Sequence, residues 1–550
     1  MTAHRARAVP ESRAIPESRA AGDGYLLALD AGTGSCRAAL FTLDGLFTLD
    51  GQPAALAQRE WSHPPAGGIR GSQSFDPAGH WALICACIRE VLGSLPSPAA
   101  VRAIGCSAMG GGLVLYGRGG QELWACANGD TRAEREAAVM LADGTAAELY
   151  RRGGGWITLS AAPRLAWVRR HEPGVWAAAI RLSMIADWMV LRLSGALATE
   201  TSIGSTSGLF DLGRRAWSPE LLSRCGLESG LFPEVVEAGA VVGQVSAAAS
   251  SQTGLARGTP VVAGGLDTAL GLTGPRPAAP GRLTVTGGSF WKQTVVAPAP
   301  AVEPAGRLRT ICHVWPGQWL VEGISFYAGF ALRWLRDRAA AGRPAGGPAG
   351  RTLGYAELEE LAAAVPPGAG GLTARLVPAD AWAWAGWQPP FPPRPGGLGG
   401  QAGLGEHAGP NAQAGLGEQV RAIQEAAAYS TRRAAGLVSE LLGAGAWQEV
   451  ILTGGAARSR LWPQILADVL GYRVSVPEHT ESAARGAAIL AGRAAGLLPE
   501  DPPPSPPPDD AGHDVPGPDR ATCPSPARQR AYDQLYARWQ SAAPGSRGAT

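Results

Sequence analysis

Apolar residues in this chain gather into short runs that close on glycine. Tyr25-Leu-Leu-Ala-Leu-Asp30 runs into Gly-Thr-Gly, and Val101-Arg-Ala-Ile-Gly-Cys-Ser107 runs toward Met109-Gly-Gly-Gly112. Gly258-Thr-Pro-Val-Val-Ala-Gly-Gly265, Leu283-Thr-Val-Thr-Gly-Gly288 and Val450-Ile-Leu-Thr-Gly-Gly455 repeat the pattern. Continuous apolar runs of this length bounded by turn residues predict buried strands, as does the shorter Leu113-Val-Leu-Tyr116. Between them, helical spacing predicts helices over His80–Leu92, around 133–151, 163–171 and 183–193, and over Ser325–Ala340. Further helices are expected over Gln419–Leu442, Arg460–Leu470 and Gly486–Ala495. Strands alternating with helices argue for an α/β fold.

Three stretches lack a core pattern. Residues 1–23 are polar and carry a duplicated Arg-Ala-Val/Ile-Pro-Glu-Ser, so a disordered arm is expected. Residues 385–418 are rich in proline and glycine, and residues 501–528 contain Asp-Pro-Pro-Pro-Ser-Pro-Pro-Pro, an extended linker. Two more short duplications, Phe-Thr-Leu-Asp-Gly from Phe41 and Phe47 and Gln-Ala-Gly-Leu-Gly-Glu from Gln401 and Gln413, occur only in pairs. They read as loop insertions, not as solenoid repeats. Past the linker, Tyr532, Leu535, Tyr536 and Trp539 recur at helical spacing, and a tail helix docked on the body is expected. With 550 residues, two domains are expected, over 24–270 and 271–500, followed by a linker and tail over 501–550.

Composition narrows the picture by exclusion. Charged residues make up 17% and the net charge is +2, which gives no reason to expect nucleic acid or an acidic membrane surface as partner. The 8 cysteines are scattered without a C-x-x-C pair, so neither disulfides nor structural zinc is expected. No apolar run is long enough to span a membrane, and no secretion signal opens the chain. The expected location is the cytoplasm.

The chemistry concentrates in the glycine turns. In Asp30-Ala-Gly-Thr-Gly-Ser-Cys-Arg37 a buried strand delivers an acid to the sheet end, and consecutive N–H groups can cradle an anion. No Gly-Lys-Ser/Thr follows, so this is not a Walker A loop. Gly264-Gly265-Leu266-Asp267, Gly287-Gly288-Ser289 and Gly454-Gly455-Ala456 follow in order. An ordinary hairpin is the plain alternative for each, and a helix cap the plain alternative for Asp267.

Taken together, these turns resemble those of the FGGY carbohydrate kinases, an actin-like ATPase family. The likeness extends to Leu123-Trp-Ala-Cys-Ala-Asn128, Ser183-Met-Ile-Ala-Asp-Trp188, Gly323-Ile-Ser-Phe-Tyr327 and Leu461-Trp-Pro-Gln-Ile-Leu-Ala-Asp468. Within the family the sequence is most similar to the branch acting on autoinducer-2, a linear dihydroxypentanedione. The resemblance implies two ribonuclease-H-like α/β domains around a catalytic cleft, and ATP-dependent phosphorylation of a small linear polyol-like substrate. It implies Asp267 as general base, Asp30 and Asp267 near Mg²⁺, and ATP phosphates on Gly32, Thr33, Gly34, Ser35 and Arg37 with Gly287, Gly288 and Ser289. Gly454, Gly455 and Ala456 would line the adenosine pocket, while Met109, Asp130 and Arg132 would face the substrate; for Asp130 and Arg132 an exposed Asp/Arg pair at a helix start is the plain alternative. A monomer or homodimer is expected. One departure stands out: Gly110-Gly111 replaces an Arg-Glu pair that the branch uses on substrate hydroxyls. Restoring that pair is expected to raise efficiency on dihydroxypentanedione. A kinase for xylulose, ribulose or glycerol, or a weakly catalytic nucleotide-binding regulator, is the rival reading.

Overall fold

The computed structural model describes residues 24–43, 46, 52–273, 281–288, 290–325, 327–341, 353–374, 376, 415–477, 482–499 and 520–541. The expected arm, most of the Pro/Gly-rich stretch and most of the proline linker lie outside the described residues, as does Ser289. The chain forms two α/β units. The first holds the described residues up to 273 together with Cys312–Gly317 and the described residues of 481–508; the second holds the rest.

The first unit is built on a six-stranded sheet in the order Val241–Gln244, Pro260–Leu266, Val101–Ala108, Tyr25–Ala31, Ser35–Thr42, Ala55–Glu60. The three middle strands, Pro260–Leu266, Val101–Ala108 and Tyr25–Ala31, run parallel, so their C-terminal ends and glycine turns share one edge. All seven residues of Tyr25–Ala31 are buried, as a continuous apolar run requires. The helix Ser482–Ala494 packs directly on this sheet. A Cβ on Gly105 would run into the Ala487 carbonyl, and one on Gly486 into the Leu270 carbonyl. Backbone therefore meets backbone, which explains the small residues on both sides. This helix was expected in the second domain; its packing places it in the first, so the sequence division at 271–500 is not the structural one. The single helix expected around 133–151 is two, Glu134–Ala142 and Thr145–Gly153. Gly144 turns left-handed at φ 78° between them, and the Asp143 carboxylate accepts the Thr145 N–H at 2.8 Å.

The second unit carries a seven-stranded sheet in the order Arg309–Cys312, Trp319–Ser325, Trp291–Ala297, Gly281–Gly287, Trp447–Thr453, Val474–Val476, Arg520–Thr522. The long helix Leu416–Leu442 crosses it and buries one face. The tail helix Pro526–Ser541 docks here, as its aromatic spacing implied. Tyr532 is fully buried; its hydroxyl donates to Glu425 Oε1 at 3.0 Å and accepts from Arg421 Nη2 at 2.6 Å. A buried phenol is tolerated only with such partners.

Candidate active site

At the shared strand edge of the first unit, Asp30 is nearly buried. Its Oδ1 accepts from Ser107 Oγ at 2.8 Å and its Oδ2 from Arg37 Nη1 at 3.0 Å. The next turn is the hairpin Gly32-Thr33-Gly34-Ser35, with Thr33 and Gly34 exposed and Gly32 N–H bonded to Ser35 O at 3.0 Å. Its underside is fixed. Trp61 Nε1 donates to Gly32 O at 2.9 Å, His63 Nε2 to Thr33 O at 2.9 Å, and Asn128 Nδ2 to Thr33 Oγ1 at 3.0 Å. His63 sits in an aromatic group with Trp61, Phe75 and His80. Burial lowers the pKa of both histidines, that of His80 to about 4, so both are neutral near pH 7. A neutral His63 still donates one N–H, which suits a carbonyl partner.

Asp267 opens the short helix Asp267–Gly271 at the end of the neighbouring parallel strand and is half-buried. Its Oδ1 accepts from the Thr268 N–H at 2.6 Å and from Thr268 Oγ1 at 3.0 Å. The strand Val101–Ala108 separates Asp30 from Asp267, so their backbones stand two strand spacings apart, roughly 10 Å. That interval suits a magnesium ion held largely through water, the way magnesium prefers, better than direct ligation by both acids. Among the described residues no group of three or more His, Cys, Asp or Glu side chains forms a direct metal site.

The turn after Val101–Ala108 departs from expectation. Met109 is buried, with its N–H on Ala31 O at 2.9 Å. A Cβ at Gly110 would lie 2.8 Å from Thr206 Cγ2 and 2.9 Å from Leu266 Cδ1, and Gly111 is left-handed at φ 83°. Thr206 Oγ1 accepts the Gly111 N–H at 3.0 Å. Arg164, 1% exposed, donates to the carbonyls of Gly111, Asn128 and Asp130, clamping this turn to segment 128–130. A Cβ at Gly110 would crowd the ends of the Thr206 and Leu266 side chains, and the φ of Gly111 is one a glutamate rarely adopts, so an Arg-Glu pair would strain this turn as it stands, which weighs against the expected gain in efficiency. Arg164 and Thr206 were not anticipated; neither belongs to a recognisable spacing.

Asp130 and Arg132 are brought together but turned inward. Asp130 accepts from Gln73 N at 2.7 Å and from Arg132 N, Nε and Nη2 at 2.6–3.1 Å. The Arg132 guanidinium lies between the Trp124 and Trp167 rings, 5.0 and 5.1 Å from their centroids. The exposed pair at a helix start, the plain alternative, is not what forms.

In the second unit, the parallel strands Gly281–Gly287 and Trp447–Thr453 end side by side. Gly454 is left-handed, and a Cβ on it would come to 2.9 Å from Gly287 O. The two glycine turns thus touch backbone to backbone. Beside them opens a cavity of about 480 Å³, lined by Gly287, Gly288, Gly455 and Ala456 and by Arg333, Tyr355, Gln424 and Trp462. Gln424 is buried and its Oε1 has no hydrogen-bond partner. A buried carbonyl oxygen left unpaired is costly, and a water or a small side-chain shift toward a donor would satisfy it.

Family models describe both halves: the N-terminal domain of the FGGY family of carbohydrate kinases matches residues 25–274, and the C-terminal domain matches 291–495. This chain belongs to the FGGY family. It is 36% identical to an autoinducer-2 kinase of Klebsiella pneumoniae subsp. pneumoniae over 94% of this chain and 93% of the relative. It is 38% identical to one of Yersinia enterocolitica over 86% and 87%. Among solved structures, xylulose kinase from Rhodospirillum rubrum matches at 25% identity and TM-score 0.71, covering 94% of this chain and 98% of that one. Ligand-bound xylulose kinase from Lactobacillus acidophilus matches at 17% identity and TM-score 0.74, over 94% and 97%, a likeness of fold. The protein is thus an FGGY carbohydrate kinase with the actin-like ATPase fold, of a family whose members use ATP. No helix among the described residues is long and apolar enough to cross a membrane.

Proposed function

We propose that this FGGY kinase phosphorylates a hydroxyl of autoinducer-2, the linear dihydroxypentanedione, from Mg-ATP. The supporting observation is the near full-length similarity to two autoinducer-2 kinases at 36% and 38% identity. In this reading Asp267 accepts the proton of the attacking hydroxyl. A carboxylate at a strand end suits that role, and general-base help typically contributes about 10²–10⁴-fold. In the first unit, the Gly32–Ser35 turn offers backbone N–H groups to phosphate oxygens; in the second, the turns at Gly287–Gly288 and Gly454–Ala456 and Gln424 line a cavity suited to a nucleotide. Magnesium, held through water near Asp30 and Asp267, would neutralise charge on the transferring phosphoryl group. Arg37 supports Asp30. Met109, Asp130 and Arg132 shape the acceptor side from behind.

A second reading, a different polyol as acceptor, is favoured by the glycines at 110 and 111, which take the branch's Arg-Glu pair away. An ADP-release screen over dihydroxypentanedione, glycerol, xylulose and ribulose separates the two. Highest kcat/KM on dihydroxypentanedione supports the first; preference for another member of the panel replaces it. No acceptor-dependent ADP release on any of the four would favour a nucleotide-binding regulator.

A further inference from the structure

We propose that Glu200 and Ser202 are positioning residues for the Asp267 carboxylate; this rests on the reading of Asp267 as general base. The strand carrying Asp267 loses its neighbour before it ends. Val241 pairs with Val262, and the last backbone bonds on that side tie Ala263 to Gly239 and Ala240. From Gly264 to Asp267 the outer side of the strand must be held by something else. Side chains do it. The Leu266 N–H donates to Ser202 Oγ at 3.0 Å, and Ser202 Oγ donates to Glu200 Oε2 at 2.6 Å. A hydroxyl has one proton; giving it to Glu200 leaves only a lone pair for Leu266, so the relay has a fixed direction.

The fit is close. Gly265 has φ 129°, and a Cβ there would lie 2.5 Å from Glu200 Oε2 and 2.6 Å from Ser202 Oγ. Glu200 is itself anchored, with Oε1 on the Ser202 N–H at 2.8 Å, Oε2 on the Ile203 N–H at 3.0 Å, and its own N–H on Asp187 Oδ1 at 3.2 Å. Capping the helix Thr201–Ser205 would need only a short Ser or Asp. The longer glutamate both caps and takes the Ser202 proton. Both side chains are buried, at 1% and 0% exposed, so neither can touch an acceptor or ATP. Their effect on the reaction runs through the backbone of 265–266 to the residue that follows. Misplacement of a reacting group by about 1 Å can cost roughly 100-fold.

The test compares Ser202→Ala, Glu200→Gln and Asp267→Asn with wild type, on the best acceptor of the four-member panel. Ser202→Ala should lower kcat roughly 10–100-fold while the Kd for Mg-ATP and the melting temperature stay close to wild type. Ser202→Thr, which keeps the hydroxyl, should recover most of kcat. Glu200→Gln reads the relay from its far end and decides the matter if the Ser202 variants do not fold. Unchanged kcat in Ser202→Ala or in Glu200→Gln, or a loss that merely follows Mg-ATP affinity and melting temperature, would overturn the proposal. If Asp267→Asn is inactive while Ser202→Ala is normal, only the relay fails. If Asp267→Asn turns over normally, the general-base reading fails, and the relay with it.

Discussion

Glycine turns close parallel strands in both units, yet they sit in opposite surroundings. At 109–112 of the first unit a Cβ on Gly110 or Gly112 would run into Thr206, Leu266 or Ile185, and Arg164 clamps the turn through the Gly111 carbonyl. At 287–288 and 454–456 of the second unit the glycines press on one another but face a cavity of about 480 Å³. The same pattern, an apolar strand running into glycine, therefore serves close packing in one place and ligand access in the other. In both, side chains take the space of a missing Cβ, Thr206 and Leu266 at Gly110 and Ala456 and Trp291 at Gly287; what separates them is that the second pair of turns also borders a cavity. The first unit accordingly offers fixed carboxylates at a sheet edge, and the second offers room. Substitutions at the carboxylates of the first should change turnover or stability, and substitutions around the cavity of the second should change nucleotide affinity.

The largest separation is expected from Asp267→Asn. An amide cannot take a proton, so turnover should fall about 10²–10⁴-fold. The cavity proposed for the base is lined by residues of the second unit, so Mg-ATP affinity should fall far less than turnover. Turnover by initial rates and Kd by calorimetry, measured on the same preparation, check it; a parallel loss of both would erase the division of labour between the units.

Next in size is the double substitution Gly110→Arg with Gly111→Glu. Overpacking at 110 costs about 1–3 kcal/mol and a non-glycine residue in the left-handed region about 1–3 more, so a loss of roughly 2–6 kcal/mol is expected in urea titrations. Thr206→Ser removes the methyl that meets the 110 Cβ while keeping the hydroxyl for Gly111, so it should return part of that loss. An undiminished stability would mean that the turn opens easily and resembles its counterparts in the second unit after all.

Glu200 gives a subtler contrast, readable from pH. Burial raises its carboxyl from 4.5 to about 7, with hydrogen bonds from Ser202 and Ile203 opposing the rise and Glu237 adding like charge, while Arg215 lies nearby as a cation. The folded state then holds a proton that the unfolded state has released. The resulting stability is complete below about pH 4.5 and is lost as pH rises toward 7. Glu200→Gln cannot lose a proton. Its stability relative to wild type should therefore improve between pH 5 and 7, by at most about 3 kcal/mol. Melting curves at half-unit pH steps measure it; a constant offset across that range would show that Glu200 does not titrate there.

Much of this was legible along the chain. Tyr25–Ala31 announces itself as a strand because every residue in it must be apolar or held, and the hairpin Gly32–Ser35 follows where the run stops. The tail helix was legible from four aromatic and leucine positions. Other features could not be read. The helix Ser482–Ala494 belongs to the first unit through a backbone contact at Gly105, 377 positions earlier than its first residue, and local periodicity carries no trace of that pairing. Arg164 is a solitary arginine on a helix until the fold brings three carbonyls to it. Asp130 and Arg132 look like an exposed pair until two tryptophan rings close over the guanidinium. Spacing reports which residues share an element; it does not report which side chain from a distant element fills the gap.

The smallest predicted effect tests the open side of the comparison. Gln424, on the long helix Leu416–Leu442, lines the cavity beside Ala456 and Trp462, and its Oε1 is buried without a partner, a small side-chain rotation away from a ligand donor. A purine base with an exocyclic amino group would supply the missing donor, whereas a base that presents only a carbonyl there would leave two acceptors facing each other. Gln424→Leu keeps the approximate volume and removes the acceptor. A single neutral hydrogen bond contributes about 0.5–1.5 kcal/mol, so Mg-ATP affinity should weaken roughly 2–12-fold. Affinity for Mg-ITP, whose base carries oxygen at that position, should stay the same or improve. The sign of the difference between the two nucleotides matters more than either value, because a general loosening of the cavity would weaken both alike. Equal weakening of Mg-ATP and Mg-ITP would make Gln424 a packing residue, and the unpartnered oxygen would then be a water site.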